Sequence, residues 1–181
     1  MNWRPEWGEA KGVGHLNGSS GVWLQEEVLA PLRVPPGDAW ITDCLDTYYL
    51  SSGAEKRLRD TYDVLAKRPE VGLPAWSLPS HPSEKKIVEL AAGQVDRLRR
   101  ELATARPKRI VTLGNAALSV FRQVAKVPPK VGPAKLAMST GYGSPVRVEL
   151  PDLHEAEWLP LAHPGAPEVY QHAHSSWKRT L

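Results

Sequence analysis

The sequence predicts a three-layer α/β/α domain built on a central, mostly parallel four-stranded sheet, and three observations carry that prediction. Short apolar runs with β-branched residues recur along the chain, as buried parallel strands require. Stretches with helical spacing of apolar residues separate them, so strands and helices alternate. The length of 181 residues supports one hydrophobic core rather than two, which makes 1–181 a single domain.

Met1 to Gly21 is rich in Gly and Trp, has no clear period and reads as a loop. From Gly21 to Leu32, Trp23, Leu24, Val28 and Leu32 share one face of a helix, with Glu26 and Glu27 on the other. Pro35-Pro36-Gly37 ends that segment. Ala39 to Asp43 (AWITD) is a short apolar run of the kind found in buried parallel strands. A helix is expected over Ala54 to Leu65, then a proline-rich loop over Pro69 to Pro82. Ser83 can cap a long helix from Glu84 to about Ala105, whose stripe is Ile87, Leu90 or Ala91, Val95, Leu98 and Leu102. Arg109 to Leu113 (RIVTL) is the next buried strand, and Gly114-Asn115 turns directly into a helix over Ala116 to Ala125. Val146 to Leu150 alternates like an antiparallel or edge strand. Glu157 to Ala162 (EWLPLA) is a final strand, ending at His163-Pro164-Gly165, and a helix from about Pro167 to Lys178 closes the chain. Ligands of such sheets sit at the carboxyl ends of the strands, where Asp43, Gly114 and His163 all lie.

Composition removes several function classes. Hydrophobic residues make up 41% and charged residues 24%, and no apolar run approaches the length of a membrane span. With no signal peptide at the start, a cytoplasmic monomer without a membrane partner is expected. Cys44 is the only cysteine, so disulfides, a four-cysteine zinc site and an iron–sulfur cluster are excluded. The six histidines form no HExxH-type pair, and no metal or other cofactor is expected. Lys and Arg outnumber Asp and Glu by 23 to 20, with a pI near 9.0, which is compatible with a polyanion partner without requiring one.

Four segments, in order, resemble the uracil-DNA glycosylase superfamily. GSSGVWLQEEVLAPL is similar to its glycine-anchored first helix, and AWITD to the strand ending in a base-reading residue, usually written ITN. PSEKKIVELAAGQVDRLRRELATARPKRIVTLGNAAL resembles its long helix, third strand and LGxxA turn, and LAHPGAP its HPS motif. The resemblance runs from Gly18 to His163. It implies hydrolysis of the N-glycosidic bond of a flipped-out nucleotide in DNA. His163, in the HPS position, would bind the departing base and steady its developing negative charge; the plainer reading is a histidine capping a strand-to-loop turn.

Asp43 stands where the family has asparagine. An ionised carboxylate only accepts hydrogen bonds, so it would repel uracil O4 and welcome the 4-amino group of cytosine. A 5-modified cytosine is therefore the favoured substrate, with defence against phages carrying such DNA as its setting. Capping of the following turn is the competing reading of Asp43. Two registers are open for the water-positioning residue. WGEAKG resembles the GEAPG box and would assign Glu9, with Lys11 in place of proline. MNWRPEWGEAKGVGHLNG resembles the corresponding stretch of the single-strand-selective branch and would assign Asn2. In that register the family's first strand is missing here or lies upstream. The base-stacking aromatic falls near Leu16 or Asn17, so stacking would come from Trp7, Tyr48 or Tyr49, and Gly12, Gly14 and Gly18 leave room for a C5 substituent. Thr47 occupies the place of a cluster cysteine in the iron–sulfur branch. DNA contacts are expected from Ser19, Ser20, the backbone N–H groups of Gly114 and Asn115, and a rim of His172, His174, Ser175, Lys178 and Arg179. The expected activity is that of a monofunctional DNA glycosylase. Uracil excision in base-excision repair and a non-catalytic DNA- or nucleotide-binding module are the alternatives.

Overall fold

The computed structural model describes residues 19–47, 49–50, 52–73, 81–136, 141–150 and 154–181. Asn2, Trp7, Glu9, Lys11, Leu16, Asn17 and Tyr48 lie outside the described residues, as do the glycines at 12, 14 and 18. The chain folds as mixed α/β. Helix α1 (Ser19–Leu24) runs on as a π-helical turn over Gln25–Leu29. Helix α2 (Ser52–Ala66) follows. The predicted long helix is two, α3 (Glu84–Ala91) and α4 (Val95–Ala105), joined by a 3₁₀ turn over Ala92–Gln94. That turn contains Gly93, and glycine is the poorest helix former apart from proline. Ser83 caps α3 as expected, its Oγ accepting from Lys86 N at 3.3 Å.

Strand β1 (Arg109–Leu113) passes directly into α5 (Gly114–Val124). Strands β2 (Val146–Glu149) and β3 (Glu155–Leu161) precede the last helix, α6 (Glu168–Lys178). The described strands form one open sheet in the order β1-β3-β2. β1 pairs parallel with β3, Leu113 opposite Leu161, and β2 pairs antiparallel with β3, as its alternating pattern predicts. The expected final strand is thus the central one of three.

AWITD departs from expectation. Residues 39–43 belong to no strand, and Trp40 and Ile41 are 64% and 39% exposed. A continuous apolar run becomes a buried strand only if a ladder partner and two covering layers exist. Among the described residues no strand pairs with this backbone, so the segment lies outside the sheet.

Side-chain alternation along β3 builds two cores. Ala156 and Trp158 point to one face, where they meet Leu118, Phe121 and Ala125 from α5 and its end. Leu159 and Leu161 point to the other, against Val28 and Trp177, so α1 and α6 cover that side. A third cluster of Ala91, Leu98, Val120 and Val124 locks α3 and α4 onto α5, and Cys44 and Leu45 pack against it. Trp158 is fully buried, and its indole N–H donates to Thr112 Oγ1 at 3.0 Å, satisfying the polar atom that such a large side chain brings into the core. No helix among the described residues is long and apolar enough to cross a membrane.

Candidate functional site

The parallel pairing of β1 and β3 puts their carboxyl ends side by side, and the loops that follow meet there. Gly114 begins α5 at φ +87°, a left-handed conformation open to glycine. A Cβ at that position would sit 3.1 Å from His163 Cβ, so the missing side chain also lets the two turns close up. A pocket of about 170 Å³ opens between them. That is small beside the roughly 300–1,000 Å³ of typical ligand clefts. Its wall includes Glu84, Gly114, Asn115, Leu136, His163, Gly165 and Tyr170.

His163 is exposed at the mouth of this pocket. The N–H of Gly165 donates to its Nδ1 at 3.0 Å. In the neutral ring the proton must therefore sit on Nε2, which leaves an N–H available to an acceptor outside. Partial burial pushes the imidazole pKa below its ordinary value, and the charge of Asp43 opposes that shift. The charge of residue 43 therefore acts on the ring. Asp43 is itself exposed and lies beside the pocket rather than in its wall. Its carboxylate accepts no hydrogen bond among the described residues.

A buried network holds the backbone just before His163. The N–H of Ala162 donates to the Tyr142 hydroxyl oxygen at 2.8 Å. The Tyr142 hydroxyl in turn donates to His174 Nδ1 at 2.9 Å, and His174 Nε2–H donates to the Glu27 carbonyl at 2.9 Å. This is the arrangement in which every member is satisfied. His174 sits between Trp23 and Trp177, with ring centroids 5.0 and 4.9 Å away, and burial lowers its pKa.

That placement corrects the expected electrostatic rim. His174 is only 3% exposed and is a core residue, because α6 turns it toward α1 rather than outward. Lys178 is held at 2.7 Å by Glu27 Oε2, and Arg179 donates to Ser176 Oγ at 3.1 Å. His172 and Ser175 are exposed on α6, and Ser20 on α1. The Asn115 side chain is also committed, its Oδ1 accepting from Leu136 N at 2.9 Å. That bond brings Leu136 to the pocket. Arg122 fixes the same loop by donating to the carbonyls of Pro128, Val131 and Pro133 at 2.8, 2.7 and 3.1 Å. Thr47 Oγ1 donates to Asp46 Oδ1 at 3.2 Å.

Glu84, Leu136 and Tyr170 are site residues that sequence reasoning missed. Ser83 marked where α3 starts, but no spacing rule states that this start faces His163. Among the described residues, no three His, Cys, Asp or Glu side chains gather as a metal site would need. Comparison with protein-family models, with curated proteins and with solved structures gives no match.

Proposed function

We propose that the protein is a monofunctional DNA glycosylase that removes a flipped-out pyrimidine, with a 5-modified cytosine as its preferred base. The observation that carries the reading is an Nε2–H left available on His163 in the pocket wall, with the charge of Asp43 acting on the same ring and no hydrogen bond to the Asp43 carboxylate among the described residues. An N–H donor suits the pyrimidine O2 that gains negative charge as the bond to the sugar breaks. A free carboxylate suits the 4-amino group that distinguishes cytosine from uracil. The pocket volume is on the scale of a single base rather than of a larger ligand. Glu84, in the same wall, is a carboxylate that could orient water or offset positive charge on the sugar.

The test is an abasic-site assay on single-stranded and duplex oligonucleotides carrying uracil, cytosine and 5-modified cytosines. The wild-type protein should release a 5-modified cytosine. His163→Ala should slow that release about 10²–10³-fold, the usual cost of removing one donor to a developing anion. Asp43→Asn should shift preference toward uracil, and Glu84→Gln should reduce the rate. Release of uracil alone by the wild type would mark a plain uracil-DNA glycosylase. DNA binding without abasic product would mark a binding module.

A further inference from the structure

We propose that Arg97, on α4, is the positioning residue for Asp43: it fixes the backbone of the 39–43 segment from outside the sheet and so holds residue 43 where its charge reaches the His163 ring. The inference rests on the reading of Asp43 as the base-contacting residue.

A residue at a strand end is ordinarily placed by ladder hydrogen bonds on the residues before it. Residues 39–43 have no ladder. The Arg97 guanidinium reaches this segment from α4. Arg97 Nη2 donates to the Asp43 carbonyl at 2.8 Å, and Nη1 donates to Thr42 Oγ1 at 3.2 Å. The same Nη1 donates to Glu101 Oε1 at 2.7 Å, and Nε to Gln94 Oε1 at 2.9 Å. Glu101 and Gln94 lie one turn to either side on the same helix stretch, so the fork is oriented before it reaches the loop. Burial pushes the Glu101 carboxyl upward, but hydrogen bonds from Thr42 and Arg97, the Arg97 charge and a hydrogen bond from Trp40 outweigh it and hold the group below its ordinary range. Glu101 therefore stays charged opposite Arg97.

The next residues are fixed from the other side. Cys44 and Leu45 pack against the cluster that includes Ala91 and Leu98. Residue 43 is thus pinned between a hydrogen-bonded carbonyl and a packed neighbour, and its carboxylate is the part of that turn left without a hydrogen bond among the described residues. Lysine could supply the charge but not a fork that spans a carbonyl and a hydroxyl at once.

Two measurements test this. The first is an NMR titration of the His163 ring in wild type, Asp43→Asn, Arg97→Ala and Arg97→Lys, with Glu84, the carboxylate in the pocket wall, unchanged throughout. Asp43→Asn should lower the His163 pKa by removing the charge that raises it. Arg97→Ala and Arg97→Lys should lower it in the same direction, because the carboxylate is released. Loss of a cation alone would move it upward, so the sign separates repositioning from simple charge removal. The second is the ratio of 5-modified cytosine to uracil excision, which should fall on the order of tenfold in Arg97→Lys, the size of one lost base-reading contact. A His163 pKa unchanged or raised in Arg97→Lys, in a protein that keeps its wild-type circular dichroism, would overturn the proposal. If Asp43→Asn still changed base preference in that case, the base-reading role of Asp43 would stand without Arg97.

Discussion

Removing the single oxygen of Tyr142 should cost a large share of the protein's stability. Tyr142→Phe keeps the ring and its packing, so no cavity opens. It does remove the acceptor of the Ala162 N–H and the donor to His174 Nδ1. Ala162 and His174 are each only 3% exposed, so water cannot take over either bond without entering the core. Leaving a buried polar group unsatisfied costs about 1–3 kcal/mol, so two give roughly 2–6 kcal/mol before relaxation. Against a total stability of about 5–15 kcal/mol that is a large share. Urea unfolding followed by tryptophan fluorescence should show a lower midpoint with an unchanged slope. The same variant should slow the base release proposed above, because Ala162 immediately precedes His163. A loss below about 0.5 kcal/mol would show that the network is not closed as described, since a typical surface change falls in that range.

The other predictions test packing and protonation. Gly143 has φ +68°, and a Cβ there would lie 2.6 Å from Cγ of the buried Trp177. Gly143→Ala should therefore combine left-handed strain of about 1 kcal/mol with overpacking of about 1–3 kcal/mol, read as a fall in Tm of several degrees; a Tm within a degree of wild type would contradict the contact. His163 and His174 both have pKa values depressed chiefly by burial. The unfolded chain then binds protons first, so stability is complete above about pH 6.5 and falls as pH drops through the folded-state values. Urea unfolding at pH 7.5 and 5.5 should show that loss, His174→Gln should reduce it, and equal stability at the two pH values would rule it out. The depressed Glu101 carboxyl acts in a separate, more acidic window: its contribution is present above about pH 4.5 and disappears below it.

Much of the scaffold was legible in the linear order of residues. The Ser83 cap, the β-branched run at 109–113, the alternation at 146–149 and the glycine-led turn at 114 each depend on chemistry within a few positions. The same holds for His163 at the end of its strand. What could not be read was which distant groups would meet. AWITD has the composition of a buried strand, yet strand formation needs a partner that composition does not specify. His172 and His174 looked equivalent as polar residues on a terminal helix, but only the register of α6 against α1 sends one outward and buries the other. Glu84 and His163 stand 79 positions apart in the numbering, and nothing local in either segment signals the other.

The amino-acid order alone set the local geometry: where helices start, where strands end, and which reactive side chains stand at those ends. Tertiary packing decided the rest, namely that Arg97 rather than a sheet ladder carries Asp43 and that a buried tyrosine–histidine pair supports the His163 turn. The physical reason is that periodicity, capping and turn chemistry act over a few residues of chain. Hydrogen bonds and electrostatic contacts between loops depend on how whole elements pack, which no short window of sequence contains.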